Sequence, residues 1–155
     1  MSPARAAAAV PETPAAPLDY GPLDGLIGYQ LRRAFLRSNA LFGKLAAPAG
    51  LAPGQFGVLT LIARNPGRSQ TEIAAAAGLD RSSLTQALDQ LAERGFVERR
   101  PGPDRRTFHL HATPAGASAL IAARARVNEH ETAIRADLTE AEAATLLALL
   151  KRLGG

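Results

Sequence analysis

The feature that most constrains the fold is a pair of short, closely spaced helix signals in the middle of the chain. Ser69-Gln-Thr-Glu72 is a capping box, in which a hydroxyl and a carboxylate satisfy backbone amides at a helix start. An alanine-rich stretch follows and ends at Gly78, and Asp80 then supplies an N-cap for a second helix with leucines every third or fourth residue. Because small residues let helices cross closely and a glycine turn sets their angle, the pattern predicts a helix-turn-helix over 69–94.

After Gly95 the apolar residues alternate instead of recurring at helical spacing. This change predicts two strands, over 96–100 and 107–111, joined by the turn-rich loop Pro101-Gly-Pro-Asp-Arg105. A basic hairpin tip directly after a helix-turn-helix has the form of a wing. The sequence therefore predicts a mainly α fold with a small β-hairpin, an α+β winged helix-turn-helix.

Four more helices surround this centre. A helix of about six turns is predicted from Leu23 to Leu45, and a shorter one begins at Pro53. Thr113-Pro114 starts a long helix that runs through Leu138, and the capping box Thr139-Glu-Ala-Glu142 opens a final leucine-rich helix. The predicted order is four helices, a hairpin and two helices.

Composition excludes several classes of protein. The chain has no cysteine, which excludes disulfide scaffolds, thiolate zinc sites and thiol-based sensors. No apolar run approaches the roughly 20 residues that span a bilayer, and the N-terminus does not resemble a secretory signal, so a cytoplasmic protein without membrane partners is expected.

No sequence motif of an enzyme is present, and no catalytic residue or cofactor is predicted. His109, His111 and His130 lack a converging acidic partner, so no metal site is predicted.

The second helix of the predicted helix-turn-helix has a face of short hydrogen-bonding side chains opposite its leucines. Such side chains suit contact with base edges in the major groove, although an ordinary amphipathic helix would also have a polar face. The expected base contacts are Ser82, Ser83, Thr85, Gln86 and Gln90. The expected contacts to the DNA backbone are Ser69, Gln70, Arg81 and Arg99, because arginines and helix N-termini bind phosphate well.

Arginine is concentrated in and around the hairpin. Five arginines, at positions 94, 99, 100, 105 and 106, face only two acidic residues between 94 and 106, within a chain of net charge +4. Arginine side chains of this kind can enter a minor groove while a helix reads the major groove. The alternative is a basic loop exposed to solvent. Asp104, Arg105 and Arg106 are the predicted wing contacts.

These segments together resemble the MarR family of winged-helix repressors. The resemblance rests on residues 55–59, on Asp80 to Gly95, on the arginines of the hairpin with Asp104, and on Thr113-Pro-Ala-Gly116; it runs from about 20 to 153. It implies a homodimer on a pseudo-palindromic DNA operator, with Arg106 in the minor groove and Asp104 orienting it. One departure is Ala52, which stands where the family often has a capping serine or threonine.

The resemblance also implies an organisation of the chain. Residues 19–50 are expected to form an N-terminal dimerisation helix, 51–112 the DNA-binding region and 113–155 the C-terminal dimerisation helices. All belong to one domain, 19–153. Pairing across a two-fold axis would bury apolar stripes that a monomer leaves uncovered. Residues 1–18 are expected from their composition alone to form a disordered Ala/Pro-rich tail, because a segment of prolines and alanines buries too little apolar surface to offset its ordering entropy.

MarR-like proteins generally release DNA when a small anion or aromatic ligand binds between the dimer helices and the DNA-binding head. Residues 28–34 resemble regulators of aromatic-acid catabolism, some of which respond to hydroxycinnamoyl-CoA thioesters. The candidate pocket residues are Tyr29, Arg32, Arg33, Phe35, Phe42 and Phe56. Arginine could neutralise a carboxylate or phosphate and the aromatic rings could line an apolar slot; alternatively, the rings are core and the arginines face solvent. The predicted function is a ligand-released repressor, and the alternative is a non-specific architectural DNA-binding protein.

Overall fold

The computed structural model describes residues 18–46, 51–102 and 108–154. Nearly all of the described secondary structure is helical, with one small antiparallel sheet, as the sequence predicts. A 3-10 turn, Gly21–Gly25, comes first. The elements that follow are α1 (Ile27–Ala46), α2 (Pro53–Arg64), β1 (Arg68–Ser69), α3 (Gln70–Ala77), α4 (Arg81–Glu93), β2 (Val97–Pro101), β3 (Phe108–Ala112), α5 (Pro114–Ile134) and α6 (Glu140–Gly154).

The sheet has three described strands where a two-stranded hairpin is predicted. β3 lies in the middle and pairs with β2 over five residues, from Val97 opposite Ala112 to Pro101 opposite Phe108. On its other edge β3 pairs with β1, which the sequence analysis missed. Gly67 makes this pairing possible, because its φ of 83° turns the chain and its N–H donates to the Leu110 carbonyl at 3.0 Å. A two-residue strand carries no periodicity from which it could be predicted.

Two predicted helix boundaries are wrong. The first helix does not begin at Leu23: the 3-10 turn ends at Gly25, the backbone of Leu26 is extended, and α1 starts at Ile27. The side-chain amide of Gln30 donates to the Asp24 carbonyl at 2.8 Å and so satisfies a group that a continuous helix would have used. The long helix ends at Ile134 and does not continue through Leu138, because the 134–139 connection turns through a 2.9 Å hydrogen bond from the Leu138 N–H to the Arg135 carbonyl.

The predicted helix caps are present. Thr113 accepts from the Gly116 N–H at 3.1 Å, and Thr139 and Glu142 form the second capping box. At α2, where Ala52 has no side-chain acceptor, the amide oxygen of Gln55 accepts from the Ala52 N–H at 3.0 Å. The departure at Ala52 therefore leaves this end of the helix partly capped.

The described hydrophobic core lies under the helix-turn-helix. It joins α2 to the buried faces of α3 and α4, to the sheet and to α5. Leu59, Ile62, Leu91 and Leu110 have no exposed surface, and Leu84 and Leu88 are almost as deeply buried. The leucine face of α4 is thus fixed in the core, and its opposite face is turned to solvent.

The first and last described helices are not covered in this way. On α1, Ile27 and Phe35 are 68% and 63% exposed, and the leucines of α6 are 38–62% exposed. No residue of α6 is buried. Within the described ranges, none of the helices is both long and apolar enough to cross a membrane.

Candidate nucleic-acid interface

The turn between α3 and α4 fixes the angle of the exposed helix. Gly78 adopts the left-handed conformation, with φ 63° and ψ 31°, and its N–H and that of Leu79 bond back to carbonyls of α3. Asp80 then begins α4 by accepting from the Ser83 N–H at 2.8 Å. Hydrogen bonds from the Ser82 hydroxyl and from the Ser83 amide hold the pKa of the Asp80 carboxyl well below its usual range. The cap is therefore ionised at neutral pH.

The predicted base-contacting residues lie on one side of α4, but their hydroxyl groups have partners within the helix. The hydroxyls of Ser82 and Ser83 donate to Asp80 at 2.6 and 2.8 Å, and the Thr85 hydroxyl donates to the Arg81 carbonyl at 2.8 Å. Ser82 and Thr85 are exposed, whereas Ser83 is half-buried. A hydroxyl that donates to the protein retains lone pairs, so at this face these side chains can accept hydrogen bonds from a ligand.

The two glutamines differ from each other. The Gln90 amide oxygen accepts from the Gln55 side chain of α2 at 2.6 Å, so Gln90 is joined to the neighbouring helix. Gln86 is exposed, and within the described ranges its amide has no hydrogen-bond partner. An exposed amide that carries both a donor and an acceptor can form a bidentate contact with an adenine edge.

A shallow depression of about 790 Å³, here named the α4 concavity, adjoins this face. It lies between the start of α3, the polar side of α4 and the strands β2 and β3. All four residues that were predicted to contact the DNA backbone line it. Its lining is Ser69, Gln70, Thr71, Arg81, Thr85, Asp89, Arg99 and Phe108.

Three residues of the α4 concavity were missed by the sequence analysis. Asp89 could have been found, since it follows Thr85 by one helical turn. Thr71 could have been found from its place in the first turn of α3, next to Gln70. Phe108 is 52% exposed and could not have been found, because an aromatic residue at the start of a strand is usually assigned to the core.

Arg99 and Asp89 form an ion pair across the α4 concavity. The guanidinium of Arg99 lies 2.8 Å from the Asp89 carboxylate, and the two side chains are 39% and 54% exposed. An exposed pair of this kind contributes little to stability, but it fixes where the arginine lies. The pair joins β2 to α4, so that the strand and the helix present one connected surface.

Ser69 and Arg68 surround the Glu72 carboxylate at the start of α3. Its hydroxyl donates to Glu72 at 2.9 Å, its N–H donates to the same carboxylate at 2.9 Å, and Arg68 pairs with Glu72 at 2.8 Å. These contacts, the backbone hydrogen bond from Ser69 first among them, lower the pKa of the Glu72 carboxyl to about 2. A negative charge is therefore fixed beside the amides of this helix start.

The wing is described only at its base. Arg100 pairs with Glu98 on the same strand, and Arg94 stacks 4.4 Å above the ring of Phe96. The predicted minor-groove residues, Asp104, Arg105 and Arg106, lie outside the described residues.

The predicted pocket residues fall into separate places. Phe35 and Phe56 line one groove of about 870 Å³ between α1, α2 and α3, here named the α1–α2 groove, with Ser38, Asn39 and Thr60 also in its wall.

The other predicted pocket residues lie outside this groove. Phe42 is 7% exposed and packs its ring against His130. Tyr29 packs against Tyr20, and Arg33 stacks above the Tyr20 ring at 4.7 Å. Arg32 is exposed on α1 and does not line the α1–α2 groove.

The histidines are also separated. His109 and His111 lie on β3, whereas His130 is 6% exposed on α5, with its Nε2 3.1 Å from both the hydroxyl and the carbonyl oxygens of Ser38. Within the described ranges, no group of three or more metal-binding side chains is present.

Comparison with known proteins identifies the same region. A sequence model of the MarR family matches residues 49–107. The putative transcriptional regulatory protein for the hcr operon of Thauera aromatica is 39% identical over 140 residues, which cover 89% of this chain and 84% of that protein.

Two solved structures of one protein resemble this fold closely. The transcriptional repressor CouR bound to a 23-mer DNA duplex has a TM-score of 0.82 and 38% sequence identity, over 90% of this chain and all 100% of that chain. CouR bound to p-coumaroyl-CoA has a TM-score of 0.79 and 37% identity, over 88% of this chain and 97% of that chain.

Proposed function

The chain belongs to the MarR family of transcriptional regulators, and we propose that it is a dimeric repressor that binds a pseudo-palindromic operator and is released by an aromatic acid or its CoA thioester. The observation that carries the DNA-binding part is the exposed polar side of α4 beside the arginines of the α4 concavity. α4 is held in place by three buried leucines, so its polar side is presented rigidly. A rigid helix with short polar side chains fits a major groove.

Each residue that the sequence predicts to contact DNA has a role in this proposal. Gln86 reads a base edge with its amide, and Ser82, Ser83, Thr85 and Gln90 contact bases at the same face. Ser69, Gln70, Arg81 and Arg99 hold phosphates around the α4 concavity. Asp104, Arg105 and Arg106 form the wing tip, where Arg106 enters the minor groove.

The proposed dimer is supported by apolar surface that the described part of the single chain leaves uncovered. α1 and α6 expose large apolar side chains that a soluble monomer would have to cover, and they lie at the two ends of the chain. Packing these helices against those of a second copy buries them and places two α4 helices on one DNA duplex. Residues 19–50 and 113–155 therefore form the dimer and 51–112 the DNA-binding head.

The α1–α2 groove is the proposed effector site. It lies between a helix of the proposed dimer interface and the helix-turn-helix, so a ligand there can change the angle between them. The class of effector is suggested by similarity to a repressor bound to p-coumaroyl-CoA. Phe35 and Phe56 supply the apolar wall for an aromatic ring.

A fluorescence-anisotropy titration on the DNA beside the protein's own gene tests this function. The titration is run against excess random duplex, with and without a panel of aromatic acids and their CoA thioesters. The proposal predicts tight, competitor-resistant binding that one compound abolishes. Binding that random DNA removes equally well would contradict it and favour the architectural alternative.

A further inference from the structure

One side chain of the α1–α2 groove has an unusual environment. Thr60, in the middle of α2, contributes to the groove wall between Phe56 and the start of the helix-turn-helix. Its hydroxyl oxygen has less than 1 Å² of exposed surface and, within the described ranges, no hydrogen-bond partner. A buried hydroxyl without a partner is costly, and a native structure that retains one requires an explanation.

Other threonines of this chain show what Thr60 lacks. Thr85, Thr132 and Thr145 each donate to the carbonyl four residues earlier in the helix, at 2.8, 3.0 and 2.9 Å. In the same geometry Thr60 would donate to the Phe56 carbonyl, and it does not. The unsatisfied hydroxyl is therefore a property of this position and not of threonines in these helices.

The rest of the α1–α2 groove indicates what could satisfy this hydroxyl. Phe35 and Phe56 make the wall suitable for an aromatic ring, while Ser38 and Asn39 place polar groups on the α1 side. The Ser38 hydroxyl is already held by His130, at 3.1 Å. Asn39 is exposed to solvent, so among the described residues Thr60 is the buried group without a partner, and a hydroxyl can both donate to and accept from a phenol.

We propose that Thr60 is a specificity-determining residue of the effector site, whose hydroxyl pairs with a hydroxyl carried on the aromatic ring of the effector. This inference rests on the proposed function and names the effector class more narrowly: a ring-hydroxylated acid or thioester, in preference to its unsubstituted analogue. For this contact the hydroxyl must leave its buried position, and a 120° rotation of Thr60 about χ1 moves it to another staggered position on the same helix.

The test compares ligands that differ only in the ring hydroxyl. Affinities of the full chain for p-coumaroyl-CoA and cinnamoyl-CoA, and for the two free acids, are measured by calorimetry with wild type, Thr60→Val and Thr60→Ser. Valine keeps the shape of threonine and removes the hydroxyl, whereas serine keeps the hydroxyl. We expect wild type and Thr60→Ser to prefer the hydroxylated member of the bound pair by about tenfold, and Thr60→Val to bind both members equally.

Independent readouts separate the possible results. Thermal unfolding should show that Thr60→Val is folded and at least as stable as wild type, because it loses an unsatisfied polar group; its DNA affinity without ligand should be unchanged. If Thr60→Val keeps the preference for the hydroxylated ligand, the inference is wrong while the proposed function stands. If wild type binds no member of either pair, the effector class proposed above fails, and the inference fails with it.

Discussion

At the scale of single residues, Thr113 and Gly116 make the joint between the wing and α5. The Thr113 hydroxyl donates to the Gly95 carbonyl at 2.6 Å and accepts from the Gly116 N–H, and the Thr113 N–H donates to the Phe96 carbonyl at 3.0 Å. Gly116 lies so close to Phe96 that a Cβ atom there would meet the Phe96 carbonyl oxygen at 2.2 Å. The orientation of the wing therefore depends on the side chain of Thr113 and on the absence of a side chain at Gly116.

Replacing Gly116 by alanine should destabilise the fold. The added methyl group overlaps backbone and not a mobile side chain, so the strand or the helix must shift, and we expect a loss of about 1–3 kcal/mol in the free energy of unfolding. Chemical denaturation measures this loss. Gly43→Ala is the matched control, because nothing lies within 4 Å of its added methyl group; equal stability of the two variants would contradict the account.

The capping box at α3 should give a pH-dependent contribution to stability. The pKa of Glu72 is lowered from 4.5 to about 2, so its carboxylate stabilises the folded state above the unfolded-state pKa, and this contribution is lost as the pH falls through the folded value. The stability difference between wild type and Glu72→Gln should therefore be constant at neutral pH and shrink between about 4.5 and about 2.

The titration of the Glu72 carboxyl by nuclear magnetic resonance checks the same prediction directly. A midpoint near 4.5 in the folded protein would contradict the geometry of the capping box. In a Ser69→Ala background the midpoint should rise, because one hydrogen bond to the carboxylate is removed while the backbone hydrogen bond from residue 69 remains.

At the scale of elements, the Arg99–Asp89 pair connects the wing to α4. Arg99→Ala should weaken binding to specific and random DNA to a similar extent, because a phosphate contact carries no sequence information. If Arg99 neutralises one phosphate, the slope of log K against log salt should fall by about 0.9.

Anisotropy titrations at several salt concentrations measure this slope. Arg126→Ala is the control, since Arg126 lies on α5 and pairs with Glu129 away from the α4 concavity. A normal salt slope in Arg99→Ala with weakened binding to the operator alone would contradict a phosphate contact and indicate base recognition.

Most elements could be predicted from the sequence, for identifiable physical reasons. Capping boxes, Pro53 and Gly78 are local signals that act through the backbone of their own segment, so the starts of α2, α3, α4, α5 and α6 were found. The short strand β1 and the end of α5 were not, because they depend on pairing and turns that leave no periodicity.

The candidate site could be predicted only in part. The exposed face of α4 follows from helical spacing, whereas the hydrogen bonds that occupy Ser82, Ser83 and Gln90 depend on side-chain conformations that spacing does not determine.

At the scale of the whole molecule, the proposed dimer depends on the uncovered apolar faces of α1 and α6. Leu147 is 55% exposed on α6 and lies within the leucine-rich face of that helix. Leu147→Glu should convert the proposed dimer to monomers, because it places a charge in an apolar interface. Operator affinity should fall at least tenfold, because a monomer binds the operator through one DNA-binding head instead of two.

Sedimentation analysis measures the change in assembly, and circular dichroism shows whether the head is still folded. Arg152→Glu, on the polar side of the same helix, introduces the same side chain and should remain dimeric. A Leu147→Glu protein that sediments as a dimer and binds its operator normally would place the interface elsewhere.

The central claim is that two copies of this chain read DNA sequence through α4 across a two-fold axis, and selection of bound duplexes from a random library tests it most directly. The account predicts enrichment of a two-fold symmetric motif with half-site centres about one helical turn apart. It also predicts that Gln86→Ala relaxes the preference at one position in each half-site while the spacing is kept. Enrichment of no motif, or of a single half-site without symmetry, would contradict it.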